Sequence, residues 1–137
     1  MFNKWFPPKW KNNRLARLWD EFALRFELMH KMYADGSGGE LIIPESRSIN
    51  AKYHFHESQK SYTFGASLRG LPDEGLAEYA LEILNSEPVI GLVERFIDGK
   101  FVVLGGRNGL ENISDAELIR YYMDDVARIT AYFKRLN

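Results

Sequence analysis

His54 and His56 are the side chains whose type and spacing come nearest to a ligand site. They stand two apart in a run where Ile49, Ala51, Tyr53 and Phe55 alternate with Asn50, Lys52, His54 and His56. Alternation at period two is a half-buried strand, so both imidazoles point to one face and can converge on zinc. A metal needs further fixed donors. Glu57 points the other way, and His30 is read on a distant helix, so His30 or a carboxylate from a neighbouring strand would have to fold close. The plainer reading is two solvated histidines on a wet face, and no metal is assigned.

Other arrangements fare no better as catalytic sets. Asp124 and Asp125 are adjacent on a helix, diverge by roughly 100°, and make a poor acid–base pair. Glu94 and Arg95 point to opposite faces of their strand. Neither a Ser-His-Asp spacing nor a Gly-x-Ser-x-Gly elbow occurs. Gly105-Gly106-Arg107-Asn108-Gly109 invites a phosphate loop, because backbone amides of such loops cradle anions. Its spacing fits neither dinucleotide nor P-loop fingerprints, and a plain strand-to-helix connection is the expectation. Asn112-Ile113-Ser114 matches a glycosylation acceptor, but no secretion signal accompanies it and Ser114 is read as a helix cap. The absence of cysteine excludes disulfides, a thiolate nucleophile and cysteine-ligated metal sites. No catalytic residue and no cofactor is assigned, so the expectation is a protein that is not an enzyme. Its catalytic or ligand-binding alternative is a pocket between sheet and helices around His54, His56 and Glu94.

The first residues carry a more specific signal. Phe2, Trp5, Phe6 and Trp10 are interleaved with Lys4, Lys9 and Lys11. The net charge of −1 hides this asymmetry: five of the 18 basic residues and none of the 19 acids lie in residues 1–19, which are therefore +5 against −6 beyond. Such a leader suits a partner surface, here assigned to Phe2, Trp5, Phe6 and Trp10, or a membrane interface, which is not favoured because Pro7-Pro8 break any continuous interfacial helix. Nucleic acid is disfavoured by the acidic body. The leader can also fold back over the core with its lysines solvated.

These candidates need elements to position them. With 137 residues, 45% hydrophobic and 27% charged, the chain fits one globular domain, residues 12–137, preceded by a basic aromatic leader, 1–11. No apolar run reaches the roughly 18 residues of a membrane span, and the cytoplasm is the expected compartment. Leu15, Leu18, Trp19, Phe22, Phe26, Met29 and Tyr33 recur at helical steps and predict a helix over 12–34, capped by Asn12 or Asn13 and ended at Asp35-Gly36. Leu41-Ile42-Ile43 before Pro44 is a short strand. The strand 49–56 and the alternation of Tyr62, Phe64, Ala66 and Leu68 form a hairpin with one wet face. A helix over 73–86 presents Leu76, Tyr79, Ala80, Ile83 and Leu84. Strands 89–97 and 100–104 flank the hairpin signal Asp98-Gly99. Ser114 and Glu117 form a capping box for a helix over 115–135, with Ile119, Tyr122, Met123, Val126, Ile129, Thr130 and Phe133 inward. The expected fold is α+β, a two-layer α-β-β-β-α-β-β-α arrangement whose antiparallel sheet is covered by helices on one side.

That order of elements, the long first helix, the three strands to Leu68, helix 73–86, the Asp98-Gly99 hairpin and the final helix together, resembles class I type III secretion chaperones and the related YbjN-like proteins of bacteria. The resemblance covers roughly residues 12–135 and rests on element order rather than on a motif. It implies no catalysis. It implies instead a homodimer that binds an extended segment of another protein along apolar patches, with the second helix, here Tyr79 and Ile83, in the dimer interface. Secretion chaperones are strongly acidic and lack a matching leader, which favours the broader YbjN-like group. An immunity protein is a further alternative. It would block a toxin through an acidic patch such as Glu111, Asp115, Glu117, Asp124 and Asp125.

Overall fold

The structure, a computed structural model, describes residues 13–42, 51–67, 73–86, 93–97 and 100–135. Within them the order is α1 (Arg14–Arg25), β1 (His30–Met32), β2 (Gly38–Leu41), β3 (Ala51–His56), β4 (Ser61–Ser67), α2 (Asp73–Ser86), β5 (Val93–Ile97), β6 (Lys100–Arg107) and α3 (Asp115–Arg135). Six strands pair antiparallel in the order β1-β2-β3-β4-β6-β5. The α+β class and the helix-covered antiparallel sheet are as the sequence predicts.

The first helix is half the expected length. Asn13 caps it, its Oδ1 accepting the Ala16 N–H at 3.1 Å. It then stops at Arg25, where the Glu27 N–H bonds the Leu24 carbonyl and the Leu28 N–H bonds the Ala23 carbonyl. That pair of bonds is a Schellman close, and Glu27 takes the left-handed position at φ 54°. The segment expected as the helix end is β1, joined to β2 by a tight turn at Asp35, whose Oδ1 accepts from the Ser37 N–H and Oγ. His30 is therefore on a strand, not on a distant helix. β2 begins at Gly38, ahead of the Leu41–Ile43 run, and Ile43 lies outside the described residues. Glycine is required at 39. A Cβ there would collide with the Lys31 carbonyl and stand 2.5 Å from the Tyr53 hydroxyl.

In β3 the alternation is as read: Ala51, Tyr53 and Phe55 are buried and Lys52, His54 and His56 half-buried. Tyr53 lies opposite Phe64 and Phe55 opposite Tyr62. These rings, with Ala66 and Val103, meet Trp19 and Phe22 of α1 and Tyr122, Ile129 and Phe133 of α3 in the main core. Trp19 is its centre, with ring centroids 4.4 Å from Tyr53, 5.2 Å from Tyr122 and 5.4 Å from Phe22. Tilted and edge-on pairs of this kind each add about 0.5–1.5 kcal/mol beyond area burial.

The helices do not all lie on one side. Ser61 and Thr63, on the face expected to be wet, are each 1% exposed. That face carries Leu104, which packs with Ala80 of α2, flanked by Tyr79 and Ile83. α2 thus covers β4 and β6 from the second face while α1 and α3 cover the first. Burial on both faces follows from the central place of β4, between β3 and β6.

β6 is longer than expected. Gly105, Gly106 and Arg107 continue the strand opposite Phe64, Thr63 and Tyr62, so the phosphate-loop and plain-loop readings of these residues are both corrected. A Cβ at Gly106 would collide with the Tyr62 carbonyl, which explains glycine here without any anion. α3 starts where Ser114 Oγ accepts the Glu117 N–H at 3.1 Å. Its buried stripe is Leu118, Tyr122, Asp125, Val126, Ile129, Tyr132 and Phe133, whereas Met123 is 42% exposed. The stripe is rotated from the predicted one.

Candidate functional site

The two strand histidines share a face, as their spacing requires, but nothing completes them as a ligand set among the described residues. His56 Nε2 shares a hydrogen bond with Thr63 Oγ1 at 3.0 Å, and the His54 ring lies 6.5 Å from Tyr33. Burial, then repulsion from His54, lowers the His56 pKa below its ordinary value. His30 is on the opposite face of the sheet. Its register places it beside Leu41 and Ala51, and its Nδ1 shares a hydrogen bond with the Tyr53 hydroxyl at 3.0 Å. Burial also lowers its pKa, against the pull of Asp20.

A pocket around His54, His56 and Glu94 does not form. β3 and β5 are three strand spacings apart, about 14 Å. Glu94 is opposite Val103, so it projects on the first face, away from both histidines. A cleft of about 210 Å³ opens elsewhere, between Arg14, Leu15, Glu57, Lys60, Leu110 and Glu111. It is smaller than the roughly 300–1,000 Å³ of usual ligand pockets. Arg14 beside it is already committed to Asp115 at 2.8 Å and to the Leu110 and Ile113 carbonyls.

The most concentrated electrostatics are in a place the sequence reading passed over. Asp125 is 8% exposed and accepts from the Tyr62 hydroxyl at 2.5 Å, from Arg107 at 3.0 and 3.2 Å, and from Arg128 at 3.1 Å. Tyr121 stacks under the Arg107 guanidinium at 3.9 Å. Burial, and then the Asp125 charge, push the Tyr62 phenol well above its ordinary range, which keeps its proton on as donor. This arrangement removes Asp125 from the acidic patch read from sequence. Glu111, Asp115, Glu117 and Asp124 are exposed, Asp115 paired with Arg14. The signal was present: Leu118, Tyr122, Asp125, Ile129 and Tyr132 recur at three- and four-residue steps.

What remains open to a partner is apolar. Leu24 is 79% exposed, Met29 50%, Phe26 45% and Ile42 38%. The first three lie within six residues at the end of α1, and Ile42 joins them through its N–H to the Met29 carbonyl at 2.8 Å. They flank β1, the outermost strand of the sheet on that side among the described residues. Single exposed apolar residues are ordinary, whereas four in the segments that flank one edge strand make that edge the candidate interaction region. The helical periodicity through Phe26 and Met29 had concealed them in the sequence, because it placed both on the inner face of a longer helix. Of the predicted partner and dimer residues, Tyr79 and Ile83 are half-buried against Ala80 and Leu104. Phe2, Trp5, Phe6 and Trp10 lie outside the described residues.

The fold resembles several solved structures, three of which follow. The HopA1–SchA chaperone–effector complex matches with a TM-score of 0.57 and 14% identity, over 93% of this chain and 96% of that one. YbjN from E. coli matches with a TM-score of 0.53 and 12% identity, over 88% and 89%. The ExsC–ExsE complex matches with a TM-score of 0.51 and 17% identity, over 90% and 92%. The chain has a YbjN-like, secretion-chaperone-like fold. No protein-family model matches the sequence, and neither does any curated protein. At such identities the likeness is one of fold; it bears out the resemblance read from the sequence, although the element order there lacked β1. Among the described residues no helix is long and apolar enough to cross a membrane.

Proposed function

We propose that this chain is a non-enzymatic protein-binding domain, chaperone-like or regulatory, that works as a homodimer in the cytoplasm. The observation that carries the reading is the exposed apolar group of Leu24, Phe26, Met29 and Ile42 beside the β1 edge. An extended segment laid along that edge would pair its backbone with β1 and set alternate side chains on the group. Two of the matched folds are a chaperone bound to an effector and a complex of two proteins, which supports a protein partner for this fold. The dispersal of His30, His54, His56 and Glu94 over two faces gives catalysis no comparable footing.

The test is binding of the full chain to arrays of extended peptides with alternating apolar residues. Wild type is expected to retain a subset of them, and the double variant Leu24→Lys, Met29→Lys to lose that subset with its fold intact by circular dichroism. Equal retention by both proteins, or none by wild type, overturns the reading. Dimerisation is a separate outcome. Light scattering on wild type is expected to give twice the chain mass of 15.9 kDa, and a strict monomer at high concentration removes the dimer.

A further inference from the structure

The residues just beyond β6 carry a chemistry that the proposed binding does not use. We propose that Asn108 is a site of spontaneous deamidation through Gly109, and that the carboxylate formed there releases the last turn of α2 from the end of β6. The reaction needs only water and no partner, so it stands or falls independently of the binding function proposed above.

The described residues include the asparagines Asn13, Asn85, Asn108 and Asn112, and of these Asn108 alone precedes a glycine. The β6 ladder ends at Arg107, so Asn108 and Gly109 stand exposed beyond it. Gly109 takes a left-handed φ of 67°, and a Cβ there would meet nothing within 4 Å. Its N–H makes no backbone hydrogen bond among the described residues, so the nitrogen is open to deprotonation. That nitrogen attacks the side-chain carbonyl carbon of Asn108. A new N–C bond forms, the C–N bond to Nδ2 breaks, and Nδ2 departs as ammonia with a proton that replaces the one lost from Gly109. Water then opens the succinimide ring at one carbonyl or the other, leaving aspartate or isoaspartate. The other asparagines are protected: the Ser86 nitrogen lies within α2, and Arg14 and Ile113 shield theirs with side chains.

The reaction removes a donor where one is needed. Asn108 Nδ2 donates to the Leu84 carbonyl at 3.5 Å, the outer limit of a hydrogen bond, so its side chain is lightly held. Leu84 is in the last turn of α2, whose carbonyls have no partner within the helix and form the negative end of its dipole. A carboxylate at that place accepts only, and it is repelled. Isoaspartate also inserts a methylene into the main chain between two fixed points. One is Arg107, bonded to Asp125, and the other is Leu110, whose N–H bonds the Lys60 carbonyl at 3.1 Å.

The test ages the folded full-length chain at mildly alkaline pH in 18O-enriched water and follows the tryptic peptide that begins at Asn108. The expected result is loss of the Asn108 amide with uptake of 18O, as a mixture of aspartate and isoaspartate, while Asn85 and Asn112 keep their amides. A folded chain that keeps the Asn108 amide while the urea-unfolded chain loses it overturns the proposal, because the fold then protects the site. Conversion to aspartate without isoaspartate overturns it too, since that product bypasses the succinimide. Release of α2 is read by hydrogen exchange. Exchange in its last turn is expected to be faster in the aged protein and in fresh Asn108→Asp than in fresh wild type, with α3 unchanged. Unaltered exchange in both sinks the release. Asn108→Ser has no amide to lose, and its exchange is expected to stay constant on ageing. The same acceleration in that variant would place the change elsewhere and overturn the assignment to Asn108.

Discussion

Asp125 and Asp124 are neighbours in sequence and strangers in environment. Asp125 is buried on the α3 stripe with Tyr62, Arg107 and Arg128 bonded to its two oxygens, whereas Asp124 is exposed. Removing one partner from a buried charged network leaves the others desolvated and unpaired, which costs more than the pair itself is worth. Asp125→Ala is therefore expected to lose about 2–3 kcal/mol in urea unfolding, discounted from the fully buried case because both arginines keep some water. Asp124→Ala should stay within about 0.5 kcal/mol. Equal effects would show that the network is ornamental. The divergence of the two carboxylates was legible from helix geometry alone. Which of them turned inward was not, because the predicted stripe admitted no charged residue and so favoured Met123 over Asp125.

At the scale of elements, the sequence misleads most where a helix ends without glycine. The periodicity of Phe22, Phe26, Met29 and Tyr33 carries a helical signal straight through β1, and nothing local marks Glu27 as the stop. A non-glycine residue in the left-handed region costs roughly 1–2 kcal/mol, a penalty accepted because β1 must turn to meet β2 and carry His30 to Tyr53. Glu27→Gly is expected to raise stability by about 1 kcal/mol in chemical denaturation while keeping the Schellman close. A destabilised variant would mean that the Glu27 side chain holds the turn in some further way. β6 failed in the opposite sense. Gly105 and Gly106 look like a loop, yet they are glycines because the neighbouring β4 backbone leaves Gly106 no room for a Cβ.

For the molecule as a whole, helices on both faces bury groups that a one-sided sheet would leave wet. His56, beside buried Thr63, and His30, under Trp19 and Tyr53, both titrate below the ordinary histidine value of 6.5. The unfolded chain then binds protons at a pH where the folded chain does not, so stability is full above 6.5 and falls as pH drops from there towards the lowered folded values. The urea midpoint should follow that decline, and His30→Gln with His56→Gln should flatten the part nearest 6.5. A double variant with the slope of wild type would show that the histidines are as solvated as the sequence alone suggests. What the sequence determined by itself was the α+β class, the approximate spans of α2 and α3, the inward set of β3 and the absence of cysteine chemistry, because propensity, capping and period-two burial are local. Only the tertiary structure decided that α2 crosses to the second face, that Asp125 is inside and that Leu24, Phe26, Met29 and Ile42 are exposed. Those outcomes depend on which surfaces meet, and residues far apart in the chain settle that by packing.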